Sequence, residues 1–384
     1  MVLDVVVIGA SVAGLTAARR LATEGFSVAV LDPNQAHATA AIGHGVAACA
    51  HASTVANMAG AYGDEAAREH VRRNLAGLEE IRGVAAAGAL ELTEVELHDH
   101  SLGVALDREL NRVLKLIGDG GAEISLLPAE ASTRAAAGLR SPALLVDPAD
   151  YAAVADQLQH PVQFPVQGDA VLDEQAEAAG AKILHDVTVT RIKRLDGATQ
   201  VAFRRNLAWS RDLEVLTAHA VVDTLAVSPW GSVAGVGQPQ YVPTLRLRGV
   251  EVPGEVTLLA GPPTWLIRPI GEEVLLLGPK CARVQVAEAA AALMNWAATE
   301  FGARDVTPGQ LIIDPSDHGR PVVGASAIPG GFYTRGNGRG ELMNGTASGC
   351  YLAALLLGVD AARSVSLPWA SKVRAGVGRL LRRR

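Results

Sequence analysis

Residues 1–33, MVLDVVVIGASVAGLTAARRLATEGFSVAVLDP, contain the clearest structural pattern in the chain. Its β-branched run Val2–Ile8 is short and apolar, which is typical of a strand buried on both faces of a parallel sheet. Leu15–Thr23 shows the apolar spacing of a helix, and Gly25 follows where a left-handed C-cap favours glycine. Ser27–Leu31 predicts a second buried strand. Strand, helix and strand make a βαβ unit, so the sequence predicts an α/β fold with a parallel sheet.

A glycine-rich turn joins the first predicted strand to the helix, and it consists of Gly9, Ala10, Ser11, Val12, Ala13 and Gly14. Its two glycines suit a tight turn and a close crossing of helix and strand, and the small Ser11 lets the backbone approach a pyrophosphate. The helix N-terminus that follows attracts phosphate. Asp32, followed by Pro33, closes the second strand 18 residues after Gly14, where a carboxylate accepts hydrogen bonds from ribose. These features predict a Rossmann-like dinucleotide site.

FAD is the predicted dinucleotide because the fingerprint begins at residue 9, which is typical of flavoproteins. Gly231–Gly237 has the wrong spacing for a second fingerprint and is followed by no acid. A disulfide reductase that uses pyridine nucleotides would need that second fingerprint and a redox cysteine pair. Neither is present in the sequence, which favours a simpler FAD enzyme.

The bulk properties of the 384 residues exclude several other classes of protein. A net charge of −6 and a pI near 5.9 argue against a nucleic-acid partner, because such proteins carry a basic stripe. Three distant cysteines form no CxxC pair, so we expect no metal site, no disulfide framework and a reducing, cytoplasmic location. We expect no transmembrane segment. The basic segment 374–384 predicts a solvated tail, with a weak contact to an anionic membrane as the alternative.

The order of the remaining predicted elements suggests two interleaved domains. An antiparallel run of strands is predicted between residues 245 and 277, between the N-terminal unit and a closing strand and helix. The predicted fold class is therefore α/β (α+β overall), with a Rossmann-like FAD-binding domain and an inserted antiparallel-sheet substrate domain. The predicted boundaries are 1–85, 140–228 and 310–384 for the FAD-binding domain, and 86–139 and 229–309 for the substrate domain. Helices are predicted at 65–87, 147–158, 169–179, 286–301 and 342–357.

Four segments in order give the chain a resemblance to a known family. They are the N-terminal unit, the Asp147-Pro148 helix start, the strand Trp265-Leu266-Ile267-Arg268-Pro269, and the closing stretch from Gly319-Arg320-Pro321 to Gly336-Asn337-Gly338-Arg339-Gly340. The sequence resembles the superfamily of FAD enzymes that contains D-amino-acid oxidase, glycine oxidase and sarcosine oxidase. The resemblance implies flavin between two domains and oxidation of a C–N bond of a small amine or amino acid to an imine.

The same resemblance implies which residues contact the cofactor. Gly43, His44 and Gly45 would run past the isoalloxazine ring, and Gly336, Gly338, Arg339 and Gly340 would bring the last helix to the flavin. A helix N-terminus there stabilises the negative charge of reduced flavin. Val189 and Thr224 complete the predicted cofactor-binding set.

Four residues are the candidates for catalysis or substrate binding. Arg268 and Arg339 could each bind a substrate carboxylate bidentately, because a guanidinium presents a planar fork of donors. His44 is a candidate general base or flavin tether, with an ordinary loop histidine as the alternative. Trp265 is a candidate pocket wall, with sheet core as the alternative.

The chain also departs from the family pattern. Leu225 stands where a strand motif usually has glycine, Asn337 replaces a late histidine, and Glu341 replaces the glycine before the last helix. A carboxylate at Glu341 would disfavour reduced flavin unless it points away. Two alternatives therefore stay open: a flavin monooxygenase or reductase of the hydroxybenzoate-hydroxylase type, and a non-catalytic subunit with the same fold. O2 or another molecule would accept the electrons, and the chain could form a homo-oligomer.

Overall fold

The computed structural model describes most of the chain. The described residues are 2–33, 45–86, 91–103, 107–129, 137–146, 181–206, 212–225, 238–259, 265–313, 316–326 and 330–358. The helices predicted at 147–158 and 169–179, the residues Gly43 and His44, and the basic tail lie outside them.

The first sheet carries the predicted βαβ unit. Its strands run in the order β16-β17-β10-β1-β2-β7, with β9 paired to β10 and β8 paired to β9. β1 pairs in parallel with β2 and β10, and β10 pairs in parallel with β17. The strands are β1 (Leu3–Ile8), β2 (Val28–Leu31), β7 (Ala181–Leu184), β8 (Val187–Leu195), β9 (Ala198–Arg205), β10 (Glu214–Asp223), β16 (Val322–Ala325) and β17 (Gly331–Arg335).

The second sheet has the order β15-β11-β14-β13-β12-β4-β6-β3, with β5 paired to β6. Strands β11 to β14 pair as the predicted antiparallel run, whereas β12 and β4 are parallel. The strands are β3 (Val46–Ala48), β4 (Leu92–His100), β5 (Ser125–Leu127), β6 (Gly138–Val146), β11 (Gln240–Arg248), β12 (Val256–Leu259), β13 (Trp265–Ile270), β14 (Glu273–Leu277) and β15 (Asp305–Ile313).

Helices pack on the first sheet and near both ends of the second, at β3 and β6 and at β11. Predicted helices 65–87, 286–301 and 342–357 are confirmed, although the last begins later because a π-turn at Glu341–Gly345 precedes it. None of the described helices is long and apolar enough to cross a bilayer. The described helices are α1 (Val12–Thr23), α2 (Ala52–Tyr62), α3 (Asp64–Ala86), α4 (Asp107–Asp119), α5 (Val286–Phe301) and α6 (Thr346–Leu357).

Helix α1 lies against both β1 and α6 at glycine contacts. A Cβ atom built on Gly14 would lie 2.3 Å from the carbonyl oxygen of Gly9. A Cβ atom built on Gly349, in α6, would lie 2.5 Å from the carbonyl oxygen of Ala13. Because both obstacles are backbone atoms, they cannot move aside like a side chain. The glycines therefore set how closely α1 packs between the sheet and the closing helix.

A pair of helix glycines tests this packing. We expect Gly349→Ala to destabilise the protein by about 1–3 kcal/mol, because the new methyl group overpacks against α1. Gly83→Ala, on the exposed side of α3 with no atom within 4 Å of the new Cβ, should stabilise it by about 0.5–1 kcal/mol. Urea unfolding of both variants measures the two free energies. Equal shifts in both variants would contradict the close packing of α1 and α6.

Candidate functional site

The candidate site begins at the carboxyl ends of β1, β2 and β10, where the glycine-rich turn leads into α1. Gly9 has φ +100°, a conformation that favours glycine. Ser11 is the N-cap of α1, and its hydroxyl accepts a hydrogen bond from the Gly14 N–H at 3.1 Å. The first N–H groups of a helix have no partner inside it, so the N-terminus of α1 presents donors and a positive dipole end. This arrangement can hold a pyrophosphate.

Thr224, predicted to bind the cofactor, holds this turn in place. Its hydroxyl lies 2.9 Å from the carbonyl oxygen of Gly9 and 3.1 Å from that of Ile8, so it donates to the turn at the end of β1. The neighbouring Leu225, which stands where the family pattern has glycine, lies over Gly9: a Cβ atom there would come within 2.9 Å of its Cδ2. Thr224 and Leu225 therefore fix the turn from the side of β10.

The predicted ribose ligand Asp32 is buried at the end of β2 and is 5% exposed. Its carboxylate Oδ2 lies 3.4 Å from Nδ1 of His185, which directly follows β7. The Nε2 atom of His185 is buried and has no hydrogen-bond partner among the described residues. A polar atom buried without a partner costs free energy, so this position suits a polar ligand beside Asp32. His185 lies 153 residues from Asp32 in the chain, so no local sequence pattern indicates this contact.

A second feature that the sequence does not predict is the ion pair between Asp223 and Arg335. Nη2 of Arg335 donates to Oδ2 of Asp223 at 2.6 Å, and Nη1 donates to the carbonyl oxygens of Asp223 and Thr334 at 2.9 and 2.7 Å. Both side chains are buried. Each residue ends a strand, and β10 and β17 are parallel neighbours, so the pair joins two strand ends beside the glycine-rich turn.

The closing loop after β17 contains the glycines that the resemblance implied. Gly336 and Gly338 have φ +76° and +65°, and a Cβ atom on Gly336 would lie 2.5 Å from Cβ of Ser316. Asn337, which replaces the family histidine, is buried, and its Oδ1 accepts a hydrogen bond from the Ser348 hydroxyl at 3.0 Å. The loop is thus tied to α6 at its first polar residue and leads through Gly340 into the π-turn.

Glu341 does not extend straight out from the start of the closing helix. Its Oε1 lies 3.0 Å from the position that a Cβ atom on Gly345 would take, and Val12 lies equally close to that position. The carboxylate therefore lies over Gly345 of the π-turn, beside the first residue of α1. Its predicted effect on reduced flavin stays a prediction.

Buried polar atoms and glycine cradles show that these residues fit a bound FAD. The hydroxyls of Ser316 and Thr334 and the Oδ1 of Asn344 are buried, and none has a hydrogen-bond partner among the described residues. All three lie beside the closing loop: Ser316 contacts Gly336, Thr334 lies at the end of β17, and Nδ2 of Asn344 donates to the carbonyl oxygen of Asn337. A ligand with several polar atoms at this loop would satisfy them.

Arg268, a predicted substrate residue, meets Gly45, a predicted cofactor residue. Arg268 lies in β13, is 2% exposed, and donates from Nη2 to the carbonyl oxygen of Val146 at 2.8 Å. Gly45 has φ +63°, and a Cβ atom there would lie 2.3 Å from Nη1 of Arg268. The second sheet therefore holds this guanidinium against the backbone that precedes β3.

The structure gives less information on the other predicted residues. The backbones of Trp265 and Arg339 are described, in β13 and in the closing loop, but their side chains are not, so their predicted roles stay predictions. Val189 lies in β8, beside a register shift in its pairing with β9, and packs with the apolar residues on one face of the first sheet. Pro33 accepts a hydrogen bond from Nδ2 of Asn206 at 3.5 Å.

Comparisons with known proteins agree with this geometry. The family model described as "FAD dependent oxidoreductase" (DAO) matches residues 4–355. Among solved structures, L-proline dehydrogenase from P. horikoshii has a TM-score of 0.68 at 13% identity, covering 93% of this chain and 94% of its own. Glycine oxidase from Geobacillus kaustophilus has a TM-score of 0.63 at 17% identity, covering 92% and 94%. Iminodiacetate oxidase from Chelativorans sp. has a TM-score of 0.61 at 19% identity, covering 92% and 95%. These structures share the fold. A search of curated proteins finds no match.

The buried ion pair generates a prediction about stability. Arg335→Gln should destabilise the protein by about 3–5 kcal/mol, because it leaves the Asp223 carboxylate buried without its cation. Adding Asp223→Asn should recover part of that loss, with a coupling free energy of about 1 kcal/mol or more in a double-mutant cycle measured by urea unfolding.

The control for this cycle is the exposed pair Arg205–Glu214, which has an Nε–Oε1 distance of 2.7 Å. Arg205→Gln should change the free energy of unfolding by less than about 1 kcal/mol, because solvent screens such pairs. Additive effects of Arg335→Gln and Asp223→Asn would show that the buried pair does not join the strand ends.

Proposed function

The chain belongs to the DAO family of FAD-dependent oxidoreductases, and on that premise we propose that it oxidises the C–N bond of a small amino acid or amine. The observation that carries the proposal is the buried guanidinium of Arg268 in the second sheet, held at Val146 and pressed against Gly45. A fixed cation at that place suits a substrate with a carboxylate beside the reacting carbon. Solved structures with this fold include proteins named for glycine, proline and iminodiacetate.

Each part of the chain has a separate task in this proposal. The turn at Gly9–Gly14 and Asp32 hold the ADP half of FAD, and the closing loop after Gly336 approaches the flavin half. When bound, FAD accepts the hydride that leaves the substrate. The protein itself needs to orient the substrate, bind its carboxylate and exclude water, so no acid–base pair is required. We also propose that Arg339 and Trp265 line the substrate site and that O2 or another acceptor reoxidises the enzyme.

The experiment that tests the proposal is anaerobic reduction of the FAD-loaded protein by single compounds. We expect a small amino acid or secondary amine to bleach the flavin absorbance without NADH or NADPH, and the product to be the imine or its hydrolysis product. Bleaching that requires NADPH would instead indicate a monooxygenase or reductase. Failure of every amine and amino acid to bleach the flavin, in protein that binds FAD, would refute C–N oxidation.

Gly45 offers a test of the carboxylate contact that keeps arginine as the residue at position 268. In Gly45→Ala the new methyl group would displace the guanidinium, so we expect kcat/KM for a carboxylate substrate to fall about tenfold or more. For a matching amine that lacks the carboxylate, kcat/KM should change little. Steady-state kinetics on both substrates measure the difference.

The matched control is Gly271→Ala. Gly271 also has a positive φ, +54°, but no atom lies within 4 Å of its built Cβ, so the variant adds the same kind of backbone strain without touching Arg268. If Gly45→Ala and Gly271→Ala affected the carboxylate substrate equally, strain alone would explain the loss. Arg268 would then have no role in substrate binding.

A further inference from the structure

Strands β8, β9 and β10 have an outer face that the proposed reaction does not use. β9 pairs antiparallel with both of its neighbours, so the three strands form one antiparallel layer. The inner face of this layer packs on β1 and β2 through an apolar cluster. Since side chains alternate along a strand, the residues between the inward-facing ones lie on the outer face. The inward-facing residues of the layer include Val187, Val201, Phe203 and Ala218.

A β-bulge in β8 decides which of its charged residues reach the outer face. The pairing with β9 shifts register at Thr190, whose hydroxyl donates to the carbonyl oxygen of Ala202 at 3.2 Å. An extra residue in a strand reverses the alternation of the side chains that follow it. Arg191 and Lys193 therefore lie on the outer face and are exposed, whereas Ile192 packs with the apolar cluster.

The outer face carries three cations and, among its described residues, no acid. Arg204 of β9 lies on the same side as Arg191 and Lys193 by the strand register, and all three are exposed. In the described part of the chain none of these three side chains belongs to an ion pair. The flanking acids are Asp186, Asp196 and Asp212, which lie outside the strands, and Glu214, which pairs with Arg205.

Exposed apolar side chains lie beside the three cations. Val215 pairs with Ala202 in the strand register and is 48% exposed. Leu213, two residues earlier, is 51% exposed, and Leu195 at the end of β8 is 37% exposed. Cations next to exposed apolar groups match a surface that presents anionic groups above an apolar layer.

We propose that this outer face of β8, β9 and β10 binds the surface of an anionic lipid bilayer. The cations Arg191, Lys193 and Arg204 attract the lipid headgroups, and Leu213 and Val215 enter the interfacial layer. The whole chain has a net charge of −6, so an anionic bilayer repels the rest of the surface. The bilayer therefore selects one orientation of the protein.

Two other partners fit this face less well. A second copy bound through a twofold axis would place the three cations against the same three cations, and like charges across an interface repel. A nucleic acid would match the cations, but its phosphate backbone offers no apolar partner to Leu213 and Val215. A bilayer satisfies both the charged and the apolar side chains.

Sedimentation of the FAD-loaded full chain with lipid vesicles tests the proposal. The protein should bind phosphatidylcholine vesicles only when they contain phosphatidylglycerol, and added salt should weaken the binding. Arg191→Gln, Lys193→Gln and Arg204→Gln combined should weaken it about a hundredfold, because each cation near an anionic surface contributes about fivefold. Leu213→Ser with Val215→Ser should weaken binding about fivefold with every charge kept.

The matched control is the combination Arg108→Gln, Lys115→Gln and Arg283→Gln. It removes the same charge at exposed positions in α4 and just before α5, and it should bind vesicles as the wild type does. Flavin absorbance and thermal unfolding show that every variant is folded and loaded.

Four outcomes overturn the proposal. The first is wild-type protein that does not bind anionic vesicles. The second is equal binding by the two triple variants, since another part of the chain, such as the basic segment 374–384, would then carry the contact. The third is wild-type binding by the Leu213→Ser, Val215→Ser variant. The fourth is tighter binding to duplex DNA than to the vesicles.

Discussion

Backbone packs directly against backbone around α1, and the positions of the glycine-rich turn and of the closing helix follow from this contact. Gly14 packs against the carbonyl oxygen of Gly9, and Gly349 packs against that of Ala13. At both positions a Cβ atom would overlap the carbonyl oxygen. Helix α1 is thereby fixed between the first sheet and α6. Its N-terminus opens at the carboxyl ends of the parallel strands, where the dipole and the first N–H groups of the helix can hold a phosphate. A looser helix would present the same groups with no defined position.

Polar contacts between distant parts of the chain complete the site around that helix. Thr224 fixes the glycine-rich turn from β10, and the pair Asp223–Arg335 ties the ends of β10 and β17 beside it. Buried ion pairs cost desolvation and add little stability over apolar packing, so this pair serves position more than stability. In the second sheet, the guanidinium of Arg268 lies against the backbone of Gly45. The reaction we propose needs this kind of alignment between a fixed cofactor and a fixed cation, and little else from the protein.

Much of the fold was predictable because local patterns were consistent with it. The βαβ unit, the antiparallel run from 245 to 277 and the helix at 286–301 follow from apolar periodicity and from glycine and proline positions. Strands β4 and β6 were missed, since LTEVELHDH and GLRSPALLV mix charged residues or proline with apolar ones. Helices α2 and α4 were missed as well. At the site, the glycines, Asp32 and Thr224 were predicted, whereas His185 and the Asp223–Arg335 pair were not.

The turn, the helix start and the strand end of the predicted nucleotide site follow from the sequence alone, because they are set by residues within thirty-odd positions of each other. The sequence also carried the resemblance that names FAD. Only the tertiary structure decided which distant polar groups face one another: His185 beside Asp32, Arg335 on Asp223, and Arg268 against Gly45. The physical reason is that a side chain's partner across a sheet or between helices depends on strand order and helix packing. Neither leaves a periodic signal in the chain.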